Sequence, residues 1–132
     1  MKTPHFILIA LVVLCLVPYG WLVRLSPVSY QLFNALFDTL PAHIVGHSLI
    51  FALIGTLALW LFPALRRRPI IYAALILAAA CGQEGFQVLY KGRLYLIDTL
   101  LDLLVDAIAA TVVWIMVYVR SPGVTAGRSP SA

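Results

Sequence analysis

The chain carries five acidic residues: Asp38, Glu84, Asp98, Asp102 and Asp106. Four of them fall between positions 84 and 106, in or beside apolar sequence. Asp98, Asp102 and Asp106 are spaced by four, so on a helix they share one face, because each step rotates only about 40°. His43 and His47 share a face for the same reason, and Glu84 and Gln87, three apart, are helical neighbours. Imidazoles and carboxylates at one depth can pass protons as base and acid. Arg93 has the planar fork that suits a phosphate. The candidate catalytic residues are therefore His47, Glu84, Arg93 and Asp98, with His43, Gln87 and Asp102 as ligand-binding or supporting groups. Acids beside histidines could also hold a divalent cation. Beyond that the sequence names no cofactor: it has no zinc-type ligand spacing, phosphate loop, dinucleotide fingerprint or serine elbow. No nucleophile is evident, which speaks against a covalent mechanism.

These residues must be positioned by a very apolar chain. Of its 132 residues 63% are hydrophobic and 11% charged, with a mean hydropathy of +1.01. A soluble domain is roughly 45–50% apolar and about 25% charged. Too few polar groups exist to coat a soluble fold, and disorder needs low hydrophobicity. The net charge of +4 is scattered through apolar sequence, which speaks against a nucleic-acid partner and for membrane lipids. A bilayer core takes about 20 apolar residues per helix. Four stretches qualify, at about 6–23, 42–65, 70–90 and 97–119. Strand alternation and internal repeats are absent. The expected fold is all-α: a four-helix membrane domain over residues 1–119, with a disordered cytoplasmic tail over 120–132.

The first stretch is too long for a typical signal-peptide core and lacks a small-x-small cleavage site, so it reads as a retained span. Orientation follows from Lys and Arg. Lys2, Arg66, Arg67, Arg68, Arg120 and Arg128 fall on one side, and Arg24, Lys91 and Arg93 on the other. Both termini and the arginine loop are then cytoplasmic, and the two longer loops face outward. In the first of these, Ser26-Pro27 is a plausible cap and first turn. Leu32, Phe33, Leu36, Phe37 and Leu40 then recur at helical spacing opposite Asn34 and Asp38. The segment is either a short amphipathic helix on the outer membrane surface or an apolar loop packed on the bundle. Cys15 and Cys81 read as packing residues. Tyr19, Trp21, Tyr90 and Tyr95 read as an interfacial aromatic belt.

An ionisable group in the bilayer costs about 2.5–3.5 kcal/mol on insertion scales. Four acids are tolerable only if they face the bundle interior and share partners. Lys91, Arg93, His43 and His47 are the cations at hand. The arrangement predicts an outward-opening polar pocket lined by His47, Glu84, Gln87, Arg93, Asp98 and Asp102. Plainer roles stay open: His47 and Gln87 as interhelical hydrogen bonds, Lys91, Arg93 and Asp98 as marks of the water interface, and Asp106 as a protonated partner for another helix.

Residues 43–110 resemble the VanZ-like family of small bacterial membrane proteins. The resemblance rests on His47 and Gly55 in HSLIFALIG, on Glu84 and Gln87 in EGFQ, and on Gly92-Arg93 followed by Asp98. Where the family usually has Asp-Lys ahead of the histidine, this chain has His43 and Ile44. Where the family has Asn then Gly after the last aspartate, it has DTLLDLLVDAIA, with Asp102 near the Asn position. The resemblance implies a multi-pass protein acting at the outer face of the bacterial plasma membrane, on cell-envelope chemistry or resistance to the glycopeptide teicoplanin. Its partners would be lipid-linked envelope precursors or the lipoglycopeptide itself. An intramembrane enzyme acting on a lipid-linked, phosphate-bearing substrate, or a small proton- or ion-coupled transport subunit, are the alternatives.

Overall fold

A computed structural model of the chain describes residues 22–37 and 39–120, together with 6, 7, 9, 10 and 13. Most of the first expected span, with Cys15, Tyr19 and Trp21, lies outside the described residues, as do Asp38 and the tail from 121 to 132. Among the described residues the fold is all-α, with no strand. Helix α1 is Pro27–Phe37, α2 is Leu40–Leu61, α3 is Pro69–Lys91 and α4 is Leu96–Val119. Helices α2, α3 and α4 are each long and apolar enough to cross a membrane.

The helix limits follow from local chemistry. Thr39 is extended and its hydroxyl accepts from Ala42 N at 3.4 Å, capping α2 just ahead of Pro41. The sequence predicts this span over 42–65, but the helix ends at Leu61, and Pro63–Arg67 forms a 3₁₀ turn. Pro63 has no N–H for the carbonyl four residues back, that of Leu59. Arg66 Nε donates to that carbonyl instead, at 3.3 Å. Pro69 starts α3 at a position where its missing N–H is harmless. Gly92 ends α3 at φ 70°, the left-handed conformation that closes helices and favours glycine. Ahead of α1, Ser26 Oγ accepts from Ser29 N at 3.4 Å, the expected cap, and the helix stops at Phe37.

The three long helices alternate in direction. Helices α2 and α4 therefore run parallel and make the largest interface; α3 returns antiparallel and packs on α4, while α2 and α3 scarcely touch. One end of the bundle, the histidine end, holds the start of α2, the end of α3 and the start of α4. The other, the arginine end, holds Arg66–Arg68. The core is apolar and one or two residues thick: Phe51, Ile54, Ala58 and Leu59 of α2, Tyr72, Ile76, Ala79 and Ala80 of α3, and Ala110 of α4. Outward faces are equally apolar, with Leu49, Ile70 and Ile97 exposed. Such surfaces suit lipid and not water. Cys81, expected inside, lies on the exposed face of α3, one residue round from buried Ala80.

One point ties all three helices. The Tyr72 hydroxyl of α3 donates to the Ala110 carbonyl of α4 at 2.9 Å, and it occupies the space where a Cβ on Gly55 of α2 would stand. Gly55 is small so that the hydroxyl can pass. Gly55→Ala should therefore lower stability by about 1–3 kcal/mol through overpacking. Tyr72→Phe alone should cost about 1 kcal/mol for the lost hydrogen bond. In the Tyr72→Phe background Gly55→Ala should be nearly neutral, because the atom it collides with is gone. Thermal unfolding of the purified protein in detergent checks this; an equal cost of Gly55→Ala in both backgrounds would contradict the packing described.

Candidate functional site

At the histidine end, α2 and α4 are joined by two rungs of polar side chains. His43 Nε2 lies 3.0 Å from Asp102 Oδ1, and His47 Nδ1 lies 3.0 Å from Asp106 Oδ1. The offset is 59 residues in both. It repeats because both helices advance four residues per rung, about 6 Å along their axes. The rungs are cross-braced: His47 Nε2 lies 3.7 Å from Asp102 Oδ2, and the two imidazole rings sit 4.6 Å apart. Asp102 thus stands between the two histidines with one oxygen toward each. His47, Asp102 and Asp106 are buried, Asp106 completely, while His43 is partly open. An ionised Asp106 requires a hydrogen on His47 Nδ1; in the neutral ring this leaves the Nε2 lone pair toward Asp102. Asp106 Oδ2 is buried without a hydrogen-bond partner among the described residues.

Helix α3 adds a second run of polar groups. Gln87 Nε2 donates to Glu84 Oε1 at 2.9 Å, and Lys91 Nζ donates to Gln87 Oε1 at 2.5 Å. Glu84 is buried; Gln87 and Lys91 lead from it to the surface. The left-handed turn at Gly92 then brings Arg93 and Tyr95 back over this end. The Arg93 guanidinium sits 4.5 Å from the centre of the Tyr95 ring, and Lys91 Nζ 6.0 Å from it. Glu84, Gln87, Lys91, Arg93, Tyr95, Asp98, Thr99 and Asp102 surround a small recess of about 10 Å³. That is about the space one water needs.

The recess brings together five of the six residues expected to line a pocket: Glu84, Gln87, Arg93, Asp98 and Asp102. It differs from the expectation in three ways. His47 does not line it; turned toward Asp102 and Asp106 in the α2–α4 interface, it sits behind Asp102. The opening is water-sized, so a larger ligand must lie across its mouth, against exposed Arg93 and Asp98. Among the described residues Lys91 and Arg93 form no ion pair with a carboxylate: Lys91 is held by Gln87 and Arg93 by Tyr95, while Asp102 and Asp106 pair with histidine. Tyr95, expected as part of an interfacial belt, is the platform for that arginine.

The sequence reading missed two things. Sequence spacing leaves Asp106 outside the candidate site residues, yet it is the buried anchor of His47. The equal spacing of His43/His47 and Asp102/Asp106 was the available signal: two parallel helices with matching four-residue steps can pair rung by rung. The absence of a zinc-type spacing was also no guide. One donor atom from each of His43, His47 and Asp102 lies within 4.8 Å of the others, an arrangement able to hold a metal ion. The ligands come from two helices about 60 residues apart, so no local pattern could display them.

Comparison with known proteins returns no matching family model, curated protein or solved structure.

The paired rungs predict strong coupling. His47→Leu should cost about 3–5 kcal/mol, since it strands a buried carboxylate. Asp106→Leu should cost about 1–3 kcal/mol, leaving a buried N–H unanswered. The double variant should be more stable than His47→Leu alone, because two apolar groups need no partner. A double-mutant cycle by thermal or detergent unfolding measures this, and additive costs would contradict the pairing.

Proposed function

We propose that this chain is an integral membrane protein of the bacterial plasma membrane that acts at the outer face on lipid-linked, phosphate-bearing envelope molecules. The observation that carries the reading is the placement of its polar groups. The paired histidines and aspartates, Glu84 and Arg93 all gather at the histidine end, opposite Arg66–Arg68. Arginine clusters mark cytoplasmic loops, so the histidine end faces outward. The stretch at 6–23 supplies a fourth span in this reading and brings the N-terminus to the cytoplasmic side with the C-terminus. Helix α1, with exposed Val28, Leu32 and Leu36, leads into the start of α2 and in this reading lies on the outer surface.

The chemistry supports a role for each group. Arg93, over the Tyr95 ring and without a carboxylate partner among the described residues, is placed to bind a phosphate at the recess mouth. Glu84, buried behind it, accepts a hydrogen bond from Gln87 and shares the recess with Thr99 and Lys91, and is placed to hold or release a proton there. Asp98 borders the same mouth. The resemblance of His47, Glu84, Gln87, Arg93 and Asp98 to the VanZ-like pattern supports the same compartment, with teicoplanin resistance as the phenotype. The described spans carry no Asp, Glu, Lys, Arg or His between the Glu84–Asp106 level and the arginine turn. A transport pathway would need such groups, so the surface-acting role is favoured over transport.

Two experiments test this. In a cysteine-free background, an impermeant maleimide on intact cells should label Arg93→Cys but reach Arg67→Cys only after permeabilisation; the reverse would invert the topology. In a teicoplanin-sensitive Gram-positive host, wild type should protect, and Glu84→Gln and Arg93→Ala at matched membrane levels should not. A well-inserted wild type that gives no protection, and no change in envelope lipids, would remove the function proposed.

A further inference from the structure

The geometry points to a divalent metal site in the bundle, with His43, His47 and Asp102 as ligands and a zinc-class ion as the occupant. The site needs no particular substrate and goes beyond the functional reading above.

Three observations converge on it. The first is distance. His43 Nε2 stands 3.0 Å from one oxygen of Asp102, and His47 Nε2 stands 3.7 Å from the other. Zinc bonds of about 2.0–2.2 Å place tetrahedral ligands roughly 3.3 Å from one another. The two observed separations lie either side of that value, and one donor atom from each of the three residues lies within 4.8 Å of the others, so the side chains must turn toward a shared ion to close the set. The 3.7 Å pair is also too long for a hydrogen bond. With the His47 ring neutral and its hydrogen on Nδ1, a nitrogen lone pair and a carboxylate oxygen face each other there, a pair that a cation would bridge.

The second is the support behind the ligand. Metal-binding histidines commonly donate their other ring N–H to a carboxylate, which fixes the tautomer and raises ligand basicity. Asp106 does this for His47: it takes Nδ1 at 3.0 Å and directs Nε2 toward Asp102. It is fully buried, and among the described residues His47 is its hydrogen-bond partner and its second oxygen has none. The third is charge. Glu84, Asp102 and Asp106 are buried, and among the described residues the ion pairs of the two aspartates go only to His43 and His47. Carboxylates held away from water need a compensating cation. Two neutral imidazoles supply none, and a divalent ion would. Three protein ligands leave a fourth position for water, and His43, partly exposed, marks the way in.

Direct binding tests this. The full chain, purified in detergent without a polyhistidine tag and stripped by chelation, is dialysed against Zn²⁺ and its bound metal counted. Co²⁺ is used in parallel as a spectroscopic probe. One ion per chain is expected, with a tetrahedral-type Co²⁺ spectrum and a rise in melting temperature on addition of Zn²⁺. Replacing His43, His47 or Asp102 by Ala should abolish binding, and Asp106→Asn should weaken it about 10–100-fold. His5→Ala, which alters the remaining histidine of the chain, should bind as wild type. Failure of the wild type to retain stoichiometric metal overturns the proposal. So does retention by the folded His47 and Asp102 variants, or loss on changing His5 alone. If the ligand variants do not fold, wild-type stoichiometry and the Co²⁺ spectrum decide. Metal binding without teicoplanin protection would leave this site standing and remove the function proposed above.

Discussion

Polar side chains can stay inside a membrane bundle only when other protein groups answer them. In this chain that constraint sets the α2–α4 interface at the histidine end. Asp102 and Asp106 could not be buried on α4 without His43 and His47 on α2, and the histidines could not be buried without the aspartates. Each pair spans the same 59 residues, so forming one rung sets the helices in register for the next. Below the rungs the core is thin and small-residue rich. Gly55, Ala58 and Ala110 let the helices approach, and the Tyr72 hydroxyl bridges all three. Small residues and hydrogen bonds are what remain to hold helices together where lipid is as apolar as the core.

The two halves of the bundle consequently differ in character. The arginine end is held by packing and by backbone carbonyls that a proline turn leaves open. Arg66 takes the carbonyl of Leu59, and Trp114 Nε1 takes that of Leu65 at 3.4 Å. The histidine end is held by ionisable and polar groups in two connected layers. The inner layer is His43, Asp102, His47 and Asp106, and the outer is Glu84, Gln87, Lys91 and Arg93. Asp102 belongs to both, lining the recess with one side and separating the histidines with the other. A change in its charge therefore reaches the recess and the helix interface together. This makes stability and any activity at this end physically linked.

Much of this was legible in the sequence. Composition alone dictates a helical membrane chain, because too few polar residues exist to cover a soluble surface and no alternation supports a barrel. The three long helices fall within a few residues of the apolar stretches, since Pro63, Pro69 and Gly92 punctuate them chemically. Helical spacing also put the acids on one face and the histidines on one face. The apolar stretch would carry α2 on to 65, past Pro63 into a turn, which hydropathy does not register but the missing N–H does.

What the sequence could not decide is which faces meet. Spacing shows that His43 and His47 are neighbours, and that Asp102 and Asp106 are neighbours, but not that these two pairs are each other's partners. That depends on how α2 and α4 rotate about their axes when they pack, a property of the assembled bundle. The same rotation puts His47 behind Asp102 and not in the recess, makes Asp106 the most enclosed acid, and leaves Cys81 outside. It also turns two unremarkable four-residue spacings into a cluster of possible metal ligands. Local sequence determines which groups share a helix face, because the helical repeat is intrinsic to the backbone. Only the tertiary structure determines which faces meet, because that is set by packing between segments far apart in the chain.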